Sequence, residues 1–187
     1  NHPRLQQINE GSLTHPKVKT VAQDASLFLR FDSTNFDLIL ADLPDPSNEA
    51  VARLYSTYFF RLAKKSLAPG GVFATQAGSP FHTRKAYWCI VETLRATGYN
   101  SVVPYHIYVP SFGEWGFVVA ADRPLGAPTL PSGITTRYLE PGRLRHHFEF
   151  APDISDLPKV KANTLDQPVL LDYYLGEWKT WRKEKIQ

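Results

Sequence analysis

Residues 36–42 read FDLILAD, and this run limits the fold more than any other stretch of the chain. Leu38-Ile39-Leu40-Ala41 is continuously apolar rather than alternating, the pattern of a strand covered on both faces, as in a parallel sheet. Parallel strands need long crossovers, usually helical, and the sequence downstream supplies them. The spacing of Val51, Leu54, Tyr55, Tyr58, Phe59 and Leu62 predicts one helix over 49–67, stopped by Pro69-Gly70-Gly71. Val72–Gln76 then reads as a second buried strand. Residues 83–97 form a further helix, with Ala86, Tyr87, Ile90, Val91 and Leu94 inward and Gly98 as its stop. Strands over 101–109 and 115–121 are joined by the short PSFGE loop, which predicts an antiparallel hairpin.

Upstream, residues 1–16 are polar, with a helical stretch around Leu5 and Ile8. Val18–Val21 is a short strand candidate. Asp24 suits the N-cap of a helix that carries Leu27, Phe28 and Phe31 on one face. Downstream, Pro124–Gly133 is a connector rich in Pro and Gly. The remainder is irregular until Asp166 caps a helix from Pro168, with Leu171, Tyr174, Leu175, Trp178 and Trp181 on one face. The expected architecture is α/β in three layers, a mainly parallel sheet with a C-terminal antiparallel hairpin. Its domain spans 1–125, and 126–187 is an extension packed on the same domain.

A hydrophobic share of 43% against 21% charged residues excludes a disordered chain. The 21 basic and 18 acidic residues leave only +3, too little to imply a nucleic-acid partner. The single Cys89 rules out an internal disulfide framework and allows a reducing compartment. Between Trp88 and Ile90 in a helix, it reads as a small buried hydrophobe. No apolar run approaches the ~20 residues that a membrane span needs. The chain contains no Met and opens on Asn1, which predicts a piece of a longer protein.

In sheets of this kind ligands bind beyond the carboxyl ends of the strands. That rule selects Asp24, Asp42 to Asp45, and Gln76 to Pro80. In Asp42-Leu43-Pro44-Asp45-Pro46 two carboxylates close a buried strand and enter a loop stiffened by two prolines. Such a pair can hold a cation, a metal or an amine. The plainer alternative has Asp42 ending the strand and Asp45 satisfying loop amides. Asp24 is explained by N-capping alone, and Gln76 by capping a sheet edge. Trp115-Gly116-Phe117 is either an aromatic lid or a core hairpin. His146-His147, beside Arg143 and Arg145, is read as a solvated basic face, because adjacent side chains point apart and do not make a metal site. No P-loop, H-E-x-x-H or C-x-x-C pattern occurs, and no metal is expected.

Taken in order, FDLILADLPDPSNEAVARLYSTYFF, LAPGGVFATQAGSP and VPSFGEWGFVVA resemble the spermidine synthase family of polyamine aminopropyltransferases, over about Pro3 to Asp122. The resemblance implies a Rossmann-like, methyltransferase-type sheet. It implies decarboxylated S-adenosylmethionine as co-substrate rather than a bound cofactor, and a polyamine such as putrescine as acceptor. Asp42 matches the carboxylate that positions and deprotonates the attacking amine, and Asp45 the second acid of that motif. Asp24 and Ala25 match the pair that contacts the adenine, and Gln76 the glutamine beside the donor pocket. Glu114 and Trp115 lie on the hairpin loop expected on the acceptor side. The remainder, with TRYLEPGRL, NTLDQP and YYLGEW, resembles a bacterial subgroup in which this domain follows a membrane-embedded region. That implies a cytoplasmic domain of an inner-membrane parent.

Two departures from the family pattern carry expectations. The family's glycine-rich donor loop and its ribose-binding acid lie on strands that precede this span. The span alone is therefore expected to bind donor poorly and to associate as a homo-oligomer through an open sheet edge. Pro110 stands where many family members carry an acceptor-lining Tyr, a departure that bears on putrescine as the particular acceptor and not on the amine class that the resemblance implies. Two other readings use the same fold: an S-adenosylmethionine-dependent methyltransferase, and a non-catalytic binding module. The D-L-P-D-P motif and the W-G-F hairpin favour aminopropyl transfer over the first, while the absent donor loop favours the second.

Overall fold

The computed structural model describes residues 3–157 and 159–184, which fall into two compact units divided after Asp32. The first holds α1 (Pro3–Ile8), a 3-10 turn at Ser12–Thr14 and α2 (Ala25–Phe31). Asp24 caps α2 as expected, its Oδ1 accepting the Leu27 N–H at 2.9 Å. Val18–Val21 forms no strand, which corrects the sequence reading. A strand exists only through a ladder with a neighbour, and the described residues of this unit offer no second strand.

The second unit begins with β1 (Phe36–Ala41). The single helix expected over 49–67 is instead α3 (Glu49–Ala52), a 3-10 turn at Arg53–Tyr55 and α4 (Thr57–Lys65). Two side chains account for the break. Ser56 caps α4 by accepting the Phe59 N–H, and buried Asn163 donates its Nδ2 to the carbonyls of Ala52 and Tyr55. Those carbonyls would otherwise accept the N–H groups of residues 56 and 59 in a continuous helix. Pro69-Gly70-Gly71 does not stop a helix either; it lies inside β2 (Leu67–Gly78). There the register against β1 slips between Phe36 and Leu38. A Cβ at Gly71 would stand 2.8 Å from the Phe36 carbonyl oxygen, so this close approach requires glycine.

Next come α5 (Arg84–Arg95), β3 (Ser101–Val109) and β4 (Gly113–Ala121), then α6 (Pro141–His146) and α7 (Leu170–Glu184). The four strands are ordered β1-β2-β4-β3. β2 runs parallel to β1, and β4 runs antiparallel to both β2 and β3. Three strands therefore point one way and β4 against them, the mainly parallel sheet with a hairpin that the sequence predicts. One expectation fails at its margin. β1 is an edge strand of the described sheet, and Leu38 and Leu40 are 53% and 70% exposed rather than covered on both faces.

The core lies on one face of the sheet, under α4 and α5. Phe60 meets Phe73 edge-on at 5.5 Å, and Phe73, Ile90, Leu94, Val118 and Ala120 are fully buried. Cys89 lies in the same layer, and burial pushes its thiol up to about 12. A thiol reagent near about pH 8 is therefore expected to leave Cys89 unmodified in the folded protein and to label it on denaturation, since the thiolate is the reactive form. Rapid labelling of the native protein, followed by mass spectrometry, would contradict this.

α7 packs along α5. The N-cap of α5, Thr83, makes no side-chain cap bond; Glu177 replaces it by accepting the N–H groups of Lys85 and Ala86 at 2.8 and 3.3 Å. A carboxylate suits the positive end of a helix. Asp166 does not cap α7. Thr164 and Asn163 take the N–H groups of Gln167 and Leu170, so the helix opens later than expected. The His pair also divides. His146 is exposed beside Glu149, while His147 is buried with its ring stacked on Tyr138. Adjacent residues on a helix end point apart, so only one of the two joins the solvated face.

Candidate functional site

Beyond the carboxyl end of β1 the chain enters Asp42-Leu43-Pro44-Asp45-Pro46, with Asp42 exposed, Asp45 half-buried and Pro46 buried. This loop is held by three residues from different elements. Tyr55, fully buried, lies with its Oη 3.2 and 3.1 Å from the carbonyl oxygens of Leu43 and Pro44, to which it donates. Gln76, near the end of β2, donates its Nε2 to the Leu43 carbonyl and to the Tyr55 Oη, while its Oε1 accepts the Gly78 N–H at 2.9 Å. Tyr174 of α7 donates its hydroxyl to Asp45 Oδ2 at 3.0 Å. Burial, then the charge of Asp45, raises both tyrosines: Tyr55 well above the ordinary phenol range, and Tyr174 to about 12. Both hydroxyls therefore remain protonated donors at neutral pH.

The sheet face away from α4 and α5 opens into a cleft of about 280 Å³ beside this loop. Leu40, Asp42, Ala74, Gln76, Tyr105 and Phe117 are among its lining residues. The rings of Tyr105 and Phe117 stack 5.2 Å apart across β3 and β4. An aromatic floor with a carboxylate at its edge can seat an organic molecule by its apolar part and hold a cationic end.

Asp42, Asp45 and Gln76 thus come together at one rim. Trp115 alternates onto the same sheet face as Phe117 and packs on Phe112 at 5.2 Å. Glu114 alternates onto the opposite face, 2.7 Å from His106 Nδ1. The His106 ring packs there on Phe150 at 4.7 Å. Asp24 and Ala25 belong to the first unit, where Asp24 caps α2 and Ala25 opens it. Sequence reasoning placed Tyr55 and Tyr174 only on apolar helix faces. The signal it had was a pair of polar-tipped aromatics on faces otherwise aliphatic or aromatic, and a buried tyrosine hydroxyl usually finds a partner.

Among the described residues no group of three or more His, Cys, Asp or Glu is placed to hold a metal ion. Nor is any helix among them long and apolar enough to cross a membrane.

Carboxylates at the strand-end rim over an aromatic sheet face stand where open α/β sheets bind small molecules. Residues 4–126 match the spermine/spermidine synthase domain, and the chain belongs to that family. Over 178 residues it is 39% identical to the polyamine aminopropyltransferase of Leptospira interrogans, covering 95% of this chain and 35% of that protein. Over 179 residues it is 39% identical to the polyamine aminopropyltransferase of Mycobacterium tuberculosis, covering 93% and 34%. The chain thus spans about a third of the length of these relatives. Among solved structures, a spermidine synthase in complex with the transition-state analogue AdoDATO superposes with a TM-score of 0.57 at 18% identity, covering 91% of this chain and 51% of that one. Spermidine synthase from Thermotoga maritima gives 0.54 at 16% identity, covering 95% and 55%. These two likenesses show the shared Rossmann-like α/β fold.

Proposed function

We propose that the protein containing this chain transfers an aminopropyl group from decarboxylated S-adenosylmethionine to a polyamine acceptor such as putrescine. The observation that carries this reading is the clamped Asp42–Asp45 loop at the carboxyl rim, in a chain of this family. An alkylamine is protonated at neutral pH, with a pKa near that of Lys, roughly 10.4. It must lose a proton before its nitrogen can attack. Asp42 accepts that proton and holds the nitrogen in line. The nitrogen bonds to the carbon beside the sulfonium, the carbon–sulfur bond breaks, and sulfur keeps the electron pair as a neutral thioether. Asp45 holds a cationic part of the acceptor, with Tyr174 donating to its Oδ2.

The aromatic cleft beside Gln76 takes the nucleoside side of the donor. Trp115, on the cleft face, lines the acceptor side. Glu114, bonded to His106 on the opposite face, adds negative potential at the hairpin tip that attracts polyamines. The parent is read as an inner-membrane protein with this domain on the cytoplasmic side, assembled as a homo-oligomer.

The test is donor choice by the full-length protein. With putrescine present, decarboxylated S-adenosylmethionine is expected to be consumed and ordinary S-adenosylmethionine left intact. Methylated amine from the ordinary donor would establish the methyltransferase reading instead. No turnover of either donor would leave a binding module.

A further inference from the structure

The C-terminal helix touches the acidic loop from outside the span matched by the family, residues 4–126. This contact deepens the amine-transfer reading and rests on it. Tyr174 reaches Asp45 across 129 positions of sequence, and α7 is fixed along its length so that it must. Leu170 is fully buried, Glu177 accepts from the start of α5, and the Trp181 indole donates to the His82 carbonyl at 2.8 Å. Trp178, one turn beyond Tyr174, stands edge-on to it at 6.2 Å and stacks on His82 at 5.9 Å. Ser47, Tyr174, Leu175, Trp178 and Lys179 line a cleft of about 410 Å³ beside this loop.

The chemistry of the contact is selective. A lysine or arginine on Asp45 would neutralise its charge and compete with an incoming ammonium. A phenol orients the carboxylate through Oδ2 and leaves the full negative charge available. The Trp178 ring adds a surface that attracts cations.

We propose that Tyr174 is a positioning residue for the acceptor: it locks the Asp45 carboxylate in the orientation that binds the ammonium of the diamine remote from the reacting nitrogen. The acceptor site of this protein is therefore completed by its C-terminal extension.

The experiment uses the full-length protein and its Tyr174→Phe variant, with putrescine varied at saturating decarboxylated S-adenosylmethionine. Phe keeps the ring and removes only the hydroxyl. The KM for putrescine is expected to rise roughly 10-fold or more, as for loss of a hydrogen bond to a charged group. The kcat, the donor KM and the melting temperature should change little. An unchanged putrescine KM overturns the proposal. So does a parallel loss in donor KM, kcat and melting temperature, which would mark a purely structural role. If the parent turns over no diamine, the transfer reading fails on its own. Calorimetric titration of putrescine then decides this proposal: weaker binding by the variant supports it, and equal binding, or none by either protein, overturns it.

Discussion

Asp42→Asn in the full-length protein is expected to lower kcat by ~10²-fold or more, the scale of a general-base contribution. Asn keeps the shape of the side chain, but it replaces one acceptor oxygen with an NH2 donor and cannot accept the proton that the ammonium must lose before the amine attacks. Asp42 is exposed at the end of β1, so the fold does not depend on its charge and the melting temperature should stay near that of the parent. Steady-state kinetics with saturating donor and acceptor give the answer. Near-normal turnover by this variant would remove Asp42 from the role of base.

The largest stability effect is expected at Gly116→Ala. A Cβ there would lie 2.1 Å from Cε2 and 2.5 Å from Cδ2 of Tyr87, and 2.9 Å from the Gly78 carbonyl oxygen. Tyr87 is fully buried, and its hydroxyl lies 3.3 Å from the carbonyl oxygens of both Tyr105 and Phe117. The ring cannot swing away without leaving those partners and the Trp88 and Phe150 rings packed on it. Overpacking a core costs about 1–3 kcal/mol, occasionally more, and this contact belongs at the upper end. Urea denaturation of the full-length protein should show the loss as a lower midpoint. An unshifted midpoint would mean that the Tyr87 layer is looser than its contacts indicate. Because Gly116 pairs with Gly78, whose N–H binds Gln76, the damage should also reach the loop that carries Asp42.

Strand identity was legible wherever an apolar run was bounded by turn residues, as at Leu38–Ala41, Val72–Gln76 and the hairpin. Helix existence was legible too, since Ala86, Tyr87, Ile90, Val91 and Leu94 all turn inward as spaced. Helix continuity was not. The apolar spacing from Val51 to Leu62 runs straight through Ser56, and the break depends on Asn163, a residue more than a hundred positions away whose amide takes two helix carbonyls. Local periodicity carries no trace of such a long-range polar contact.

The site shows the same division. The carboxylate pair stood out because of its strand-end position and its prolines. What holds the pair did not, because Tyr55 and Tyr174 look like core aromatics until the fold aims their hydroxyls at the loop. Glu114 and Trp115 are neighbours in sequence, yet strand alternation sends them to opposite faces of the sheet.

The amine-handling role of the acidic loop is tested most directly by a crystal structure of the full-length protein with putrescine and the spent thioether nucleoside. One putrescine nitrogen should lie within hydrogen-bond reach of the Asp42 carboxylate, about 3 Å, on the line to the sulfur, with the diamine's other end at Asp45. Putrescine bound with both nitrogens away from Asp42 and Asp45 would contradict that role.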